Sequence, residues 1–244
     1  MMLSELSKQL DGRLYGADLN VSEFSTDSRE LQSGKMFVAI KGEHFDGHDY
    51  VHESIQKGAV AALVDKTFNL SLFETLKTPV LQVPDVLQAY GHIAAIHAAS
   101  MPAKKVAITG SCGKTSVKEM LQAILSEKGK VIATKGNFNN EIGVPRTLLS
   151  IREEHDFAVV EMGANHAGEI AYLSSLLNPD IVSVLNADRA HLEGFKSIEG
   201  VAHAKGEIFS GAKKGNGFAV LSLDENYFSL WESLAKQNGL TVVR

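Results

Sequence analysis

Lys114 and Thr115 stand behind two glycines in the run Thr109-Gly110-Ser111-Cys112-Gly113-Lys114-Thr115. An ammonium, a hydroxyl and a turn lacking two Cβ atoms suit a polyphosphate. Backbone N–H groups can face the anion, Lys114 can reach its terminal phosphates, and the Thr115 hydroxyl offers a ligand to magnesium. Three β-formers, Val106, Ala107 and Ile108, lead in. From Lys114 onward the apolar period turns helical, with Val117, Met120, Leu121, Ile124 and Leu125 expected on one face. Strand, glycine turn and helix N-terminus together aim N–H groups and the positive end of a helix dipole at one point. The common G-x-x-x-x-G-K-[ST] loop would place glycine where Ile108 stands, so this is a shorter G-x-x-G-K-T form. Its flanking strand and helix make it a candidate nucleotide-binding loop.

Other residues with chemical potential fall at strand ends. Glu161 closes the apolar run Phe157-Ala158-Val159-Val160. An acid at the carboxyl end of a buried strand lies where open α/β sheets bind ligands, and behind a phosphate loop it suits the nucleotide's magnesium. His191 follows the run Ile181–Leu185 and is a candidate second metal or phosphate contact from the same sheet edge. Asn137, Asn139 and Asn140 crowd the loop from Thr134 to Gly143, which suits either a polar ligand or a loop that caps itself. Ser28 and Arg29 lie in the polar tetrad Thr26-Asp27-Ser28-Arg29, either a side-chain-bonded turn or a small anion site. His44, His48 and His52 recur every four residues, but Asp46-Gly47 interrupts any helix there, so they read as polar loop histidines rather than a metal row. Lys205, in a helical stretch from Val201 to Phe209, reads on its own as a surface lysine.

These residues need an alternating scaffold. A helix is expected over Leu3–Leu10 with Ser4 as its cap, then strands near Leu14–Tyr15, Val21–Phe24, Met36–Ile40, Ala59–Val64 and Val80–Val83, and a helix from Val51 to Lys57. Pro84-Asp85 opens a long helix that Ser100-Met101-Pro102 stops. After the phosphate loop come strands at Val131–Ala133, Phe157–Glu161, Ile181–Leu185, Phe218–Leu221 and Leu240–Val243, with a helix from Gly168 to Leu177. The expected class is α/β: a small α+β domain over residues 1–83, then a mostly parallel P-loop-type sheet with helices on both faces over residues 84–244.

Composition narrows the partners. The 244 residues carry 24 Lys plus Arg against 29 Asp plus Glu, a formal charge of −5, so no nucleic-acid footprint is present. No apolar run approaches the length of a membrane span, and the start Met-Met-Leu-Ser-Glu-Leu lacks the pattern of a signal peptide. Cys112 is the single cysteine. Together these favour a cytoplasmic protein with no membrane insertion.

Four stretches together resemble one family, the Mur ligases: A-I-T-G-S-C-G-K-T-S-V-K-E-M-L, T-K-G-N-F-N-N-E-I-G-V-P, V-V-E-M-G-A-N-H-A-G-E-I, and A-H-L-E-G-F-K-S-I-E-G-V-A-H-A-K-G-E-I-F. The amino-terminal T-D-S-R-E and F-V-A-I-K-G-E-H-F-D-G-H-D-Y are similar as well. The resemblance implies an ATP-dependent, amide-forming enzyme of peptidoglycan precursor synthesis. It further implies a first domain for a uridine nucleotide and a second for ATP. Within the family the motifs favour members that join D-alanyl-D-alanine to UDP-N-acetylmuramoyl-tripeptide.

Carried over by motif, Thr109, Gly110, Ser111, Cys112, Gly113, Lys114 and Thr115 would hold ATP. Thr115 and Glu161 would hold one magnesium ion, and His191 would serve a second. Lys205 takes the place of a carbamylated lysine bridging to that second metal. Ser28 and Arg29 lie in the segment for the uridine diphosphate end, and Asn139 and Asn140 in a loop facing that substrate. The family also has a third, carboxy-terminal domain, and its central domain continues beyond Arg244. The chain is therefore expected to be a truncated ligase, inactive by itself. Two alternatives stay open: a nucleotide-binding module without ligase activity, and a family member adding a different amino acid.

Overall fold

A computed structural model of the chain describes residues 1–42, 44–71, 77–189 and 192–244. The chain forms two compact units, Met1–Ile93 and Ala94–Arg244.

The first unit is built on a five-stranded sheet of β1 (Arg13–Tyr15), β2 (Phe24–Ser25), β3 (Met36–Val38), β4 (Ala61–Val64) and β5 (Val80–Gln82), in the order β1-β5-β4-β3-β2. β1 runs antiparallel to β5, and the other neighbours are parallel. β3 and β4 are buried at every position, as expected of strands covered on both faces. Phe37, Val51, Ala62, Val64 and Phe68 share one core with helix α2 (Val51–Gln56). Helix α1 (Leu3–Gln9) buries Leu3 and Leu6. Ser4 does not cap it: the capping position is Met2, and the Ser4 hydroxyl instead donates to Asp18 Oδ2 at 2.6 Å. The second strand begins at Phe24 rather than Val21, which is buried against the amino-terminus as its carbonyl accepts from the Met1 ammonium at 2.8 Å.

His48 lies in a 3-10 turn, Gly47–Tyr50. Its Nε2 accepts the Asp65 N–H at 3.0 Å, so Nδ1 carries the proton and donates to Asp46 Oδ1 at 2.5 Å. Burial raises the Asp46 carboxyl, but bonds from the His48 main chain and ring and from Lys41 outweigh it and hold the pKa at about 2.

The second unit carries a six-stranded sheet: β6 (Lys104–Thr109), β7 (Val131–Ala133), β8 (Phe157–Glu161), β9 (Ile181–Val184), β10 (Phe218–Leu221) and β11 (Thr241–Val243). The order is β11-β10-β9-β6-β8-β7, and every pairing is parallel. Helix α3 (Val86–Ser100) begins in the first unit and ends in the second, whose other helices are α4 (Lys114–Ser126), α5 (Gly143–Leu149), α6 (Glu169–Leu177), α7 (Leu192–Phe195), α8 (Ile198–Gly206) and α9 (Phe228–Gln237). The parallel α/β class expected from sequence is present. Among the described residues no helix is long and apolar enough to cross a membrane.

The α4 face differs from the expected one. Val117, Leu121 and Leu125 pack on Val106, Ile108 and Val159, whereas Met120 is 57 % and Ile124 63 % exposed. The inward arc turns instead through Lys118, which is buried. The i, i+4 row 117-121-125 faces the sheet, and Lys118 extends that row's flank toward β7.

Candidate active site

The Thr109–Thr115 loop leaves β6 at the carboxyl edge of the sheet, beside the neighbouring strands β8 and β9. Thr109 is fully buried and donates to the Met162 carbonyl at 2.9 Å, tying the start of the loop to the end of β8. Gly113 caps α4 at φ 78°, a left-handed conformation that L side chains rarely adopt. Asn186, after β9, grips the loop from its far side. Its Oδ1 accepts the Cys112 N–H at 3.0 Å, and its Nδ2 donates to the Cys112 carbonyl at 3.1 Å. The Ser111 hydroxyl accepts the Asp188 N–H at 2.9 Å. Cys112 itself is exposed.

Lys114 Nζ donates to the Gly110 carbonyl at 2.7 Å, folded back over the loop it belongs to. Thr115 Oγ1 donates to Glu161 Oε2 at 3.1 Å, and Asn139 Nδ2 donates to Glu161 Oε1 at 2.7 Å. Both oxygens of a carboxylate that is 1 % exposed are thereby fixed. A hydroxyl and a carboxylate oxygen are hard donors, the set magnesium takes when substrate phosphates and water complete its shell. The pair therefore fits that ion.

The structure separates the two asparagines. Asn139 joins Glu161, while Asn140 Oδ1 accepts the N–H of Gly143 at 2.9 Å and so closes the turn into α5. Lys205, on α8, is 2 % exposed and lies 5.8 Å from the Phe195 ring centroid. Burial, and then the charge of Lys114, push its ammonium down to about 8, against the opposing pull of Glu207 and Glu169. Those two acids order the adjoining turn. Glu207 Oε1 accepts the Gly168 N–H at 2.7 Å, and Glu169 Oε2 accepts the Asn165 N–H at 2.8 Å. Lys205 is thus no surface lysine. His191 lies outside the described residues.

In the first unit, Ser28 and Arg29 line a cleft of about 310 Å³ together with Thr26, Phe37, Phe45 and Tyr50. Arg29 lies against Asp27 through two bonds, Nε to Oδ1 at 2.9 Å and Nη2 to Oδ2 at 2.7 Å. Phe45 and Tyr50 expose rings at the rim. A guanidinium beside aromatic faces suits a ligand with both an anionic and a flat apolar part.

Sequence reading missed Lys118, Thr134 and the grip of Asn186. Lys118 falls one helical turn after Lys114, the only signal that pointed at it.

The pattern of the Mur ligase middle domain matches residues 108–244, and that of the Mur ligase family, catalytic domain, matches residues 20–98. The UDP-N-acetylmuramoyl-tripeptide–D-alanyl-D-alanine ligase of Escherichia coli K12 is 49 % identical over 95 % of this chain and 50 % of its own length. MurF from Acinetobacter baumannii superposes with a TM-score of 0.87 at 33 % identity, over 98 % of this chain and 52 % of that one. MurF ligase from Thermotoga maritima, solved in complex with ADP, gives 0.80 at 30 % identity over 91 % of this chain and 50 % of its own. The chain spans about half the length of the curated relatives it matches. With the middle-domain pattern running through more than half of its residues and beginning inside the phosphate-loop strand, the chain belongs to the Mur ligase family.

Proposed function

We propose that this chain supplies the ATP site and the site for the UDP-linked acyl donor of an ATP-dependent ligase of peptidoglycan precursor synthesis. The ligase joins D-alanyl-D-alanine to UDP-N-acetylmuramoyl-tripeptide. The observation that carries the reading is the Thr115–Glu161 pair beside the phosphate loop, in a chain 49 % identical to a ligase of that name. Residues 1–83 form the domain for the UDP-linked substrate, with Ser28 and Arg29 at its diphosphate. Residues 84–244 form the ATP domain. ATP binding is supported by the ADP held by the Thermotoga maritima relative.

A carboxylate resists attack by an amine because its leaving group is too poor, so the tripeptide's terminal carboxylate is first phosphorylated by ATP. The loop N–H groups and the α4 N-terminus hold the phosphates. Lys114 exchanges the Gly110 carbonyl for a terminal phosphate oxygen and offsets charge as the phosphoryl group moves. Magnesium, held by Thr115 and Glu161, supplies further neutralisation of that charge when bound. Asn139 keeps the Glu161 carboxylate turned toward Thr115. The dipeptide amine then attacks the acyl phosphate, and the tetrahedral adduct expels inorganic phosphate.

Lys205, with its pKa near 8, holds enough neutral amine to take up carbon dioxide and become a carbamate. That carbamate, with His191, would hold a second magnesium ion and add to the neutralisation of phosphate charge. Localisation in the cytoplasm follows from the nucleotide substrates.

Calorimetric titration of the 244-residue chain tests the reading. Saturable binding of both Mg-ATP and UDP-N-acetylmuramoyl-tripeptide is expected. Binding of ATP with no binding of the UDP-linked tripeptide would leave a nucleotide-binding module and overturn the ligase assignment.

A further inference from the structure

Lys118 takes no part in the phosphate loop, yet its side chain is 1 % exposed. Its Nζ donates to the Thr134 carbonyl at 2.7 Å and meets Glu119 Oε1, on a mostly exposed side chain, at 3.0 Å. Burying an ammonium is costly, and an apolar side chain of similar length commonly packs as well or better. A reason for the lysine therefore has to lie in the direction of its bond.

The bond falls on the last rung of the β7–β8 ladder. Thr134 N–H donates to the Val159 carbonyl at 3.0 Å, as a parallel ladder requires. The next rung would run from the Glu161 N–H to the Thr134 carbonyl. Instead the Glu161 N–H donates to the Thr134 hydroxyl at 3.0 Å, and the carbonyl is given to Lys118. One buried threonine thus joins α4, which carries Thr115, to the strand end that carries Glu161. The Thr134–Gly143 loop also starts there and brings Asn139 to the other oxygen of Glu161.

The geometry points to Lys118 as a positioning residue for the magnesium pair: through Thr134 it fixes the Glu161 main chain, and hence the carboxylate, relative to Thr115. This rests on the reading of Thr115 and Glu161 as magnesium ligands.

The test is ADP affinity of the 244-residue chain measured by calorimetry across a magnesium titration and again in EDTA, with thermal unfolding followed in parallel. Lys118→Met is expected to raise the magnesium concentration needed for tight ADP binding by about tenfold, the usual effect of removing an outer partner of a metal site. Its affinity in EDTA is expected to stay at the wild-type value, which general loosening of the fold would not allow. Glu161→Gln separates the two claims. If it shifts the magnesium dependence and Lys118→Met does not, the role of Lys118 is overturned. If Glu161→Gln itself shifts nothing, the magnesium pair fails and the inference falls with it. Should Lys118→Met not fold, Thr134→Val cuts the same connection one step nearer Glu161. A shifted magnesium dependence in that variant supports the inference, and an unchanged one overturns it.

Discussion

Thr115 and Glu161 are 46 residues apart in sequence, and their side chains meet at 3.1 Å between a helix N-terminus and a strand end. Neither element alone makes a site. The parallel pairing of β6 with β8 sets the loop and the carboxylate at the same edge of the sheet, with Ile108 directly opposite Glu161. Parallel order thus does here what the α/β architecture does generally, gathering functional groups at the carboxyl ends of its strands.

Lys114, half-buried, donates to its own loop at 2.7 Å, so the ammonium is held over the turn that would take the phosphates. Replacing it with methionine removes a charge-assisted bond of about 1.5–3 kcal/mol, or roughly 10- to 100-fold in affinity. Lys114→Met is expected to weaken ATP binding by that factor with little change in thermal stability. Calorimetry with ATP and with AMP separates the terminal phosphates from the rest of the nucleotide: AMP affinity should be nearly unaffected.

Gly163 lies under Asn139. A Cβ at Gly163 would lie 2.8 Å from Asn139 Oδ1. Gly163→Ala is expected to push the asparagine amide off Glu161 and to cost about 1–3 kcal/mol of stability as an overpacked site. Asn139→Ala should reproduce the loss of magnesium-dependent nucleotide affinity. Denaturant unfolding and nucleotide titration of both variants check this, and a Gly163→Ala protein with normal magnesium dependence would break the link between these residues.

The buried Lys205 ammonium makes stability depend on pH. Its folded pKa, about 8, lies below the ordinary value of 10.5, so between them the unfolded chain binds more protons than the folded one. Stability therefore rises with pH through that window, and the full cost of keeping the group charged is present below pH 8. The shift corresponds to a cost on the order of 3 kcal/mol. Lys205→Met is expected to be more stable than wild type at neutral pH in bicarbonate-free buffer, and to lose the rise at alkaline pH. Urea unfolding at a series of pH values measures both.

Much of this site is legible in the sequence. The loop from Thr109 to Thr115 announces itself by glycine spacing and by the change from strand to helix period, and Glu161 by its place behind four apolar residues. What stayed hidden depends on tertiary direction. Lys118 reads as an exposed helix lysine until Thr134 turns its carbonyl toward it. Met120 and Ile124 fit an apolar period as well as Val117 and Leu121 do, and only the sheet decides which row it covers. Pro145 reads as a helix breaker in sequence, although it falls in the first turn of α5, where its missing N–H costs nothing. Helix α9 has no counterpart among the elements expected from sequence; Trp231 anchors it through a 2.9 Å bond to the Ala202 carbonyl.

Acyl-phosphate chemistry leaves an isotopic record that no simple nucleotide binder can leave. Because the chain spans about half the length of its relatives, the reaction is best followed with it joined to the carboxy-terminal half of the Escherichia coli ligase. UDP-N-acetylmuramoyl-tripeptide carrying heavy oxygen in its terminal carboxylate is supplied with ATP, magnesium and D-alanyl-D-alanine, and the released phosphate is examined by mass spectrometry. Label in the phosphate, lost when Glu161 is replaced by glutamine, is the expected result; amide product accompanied by unlabelled phosphate would contradict activation through an acyl phosphate.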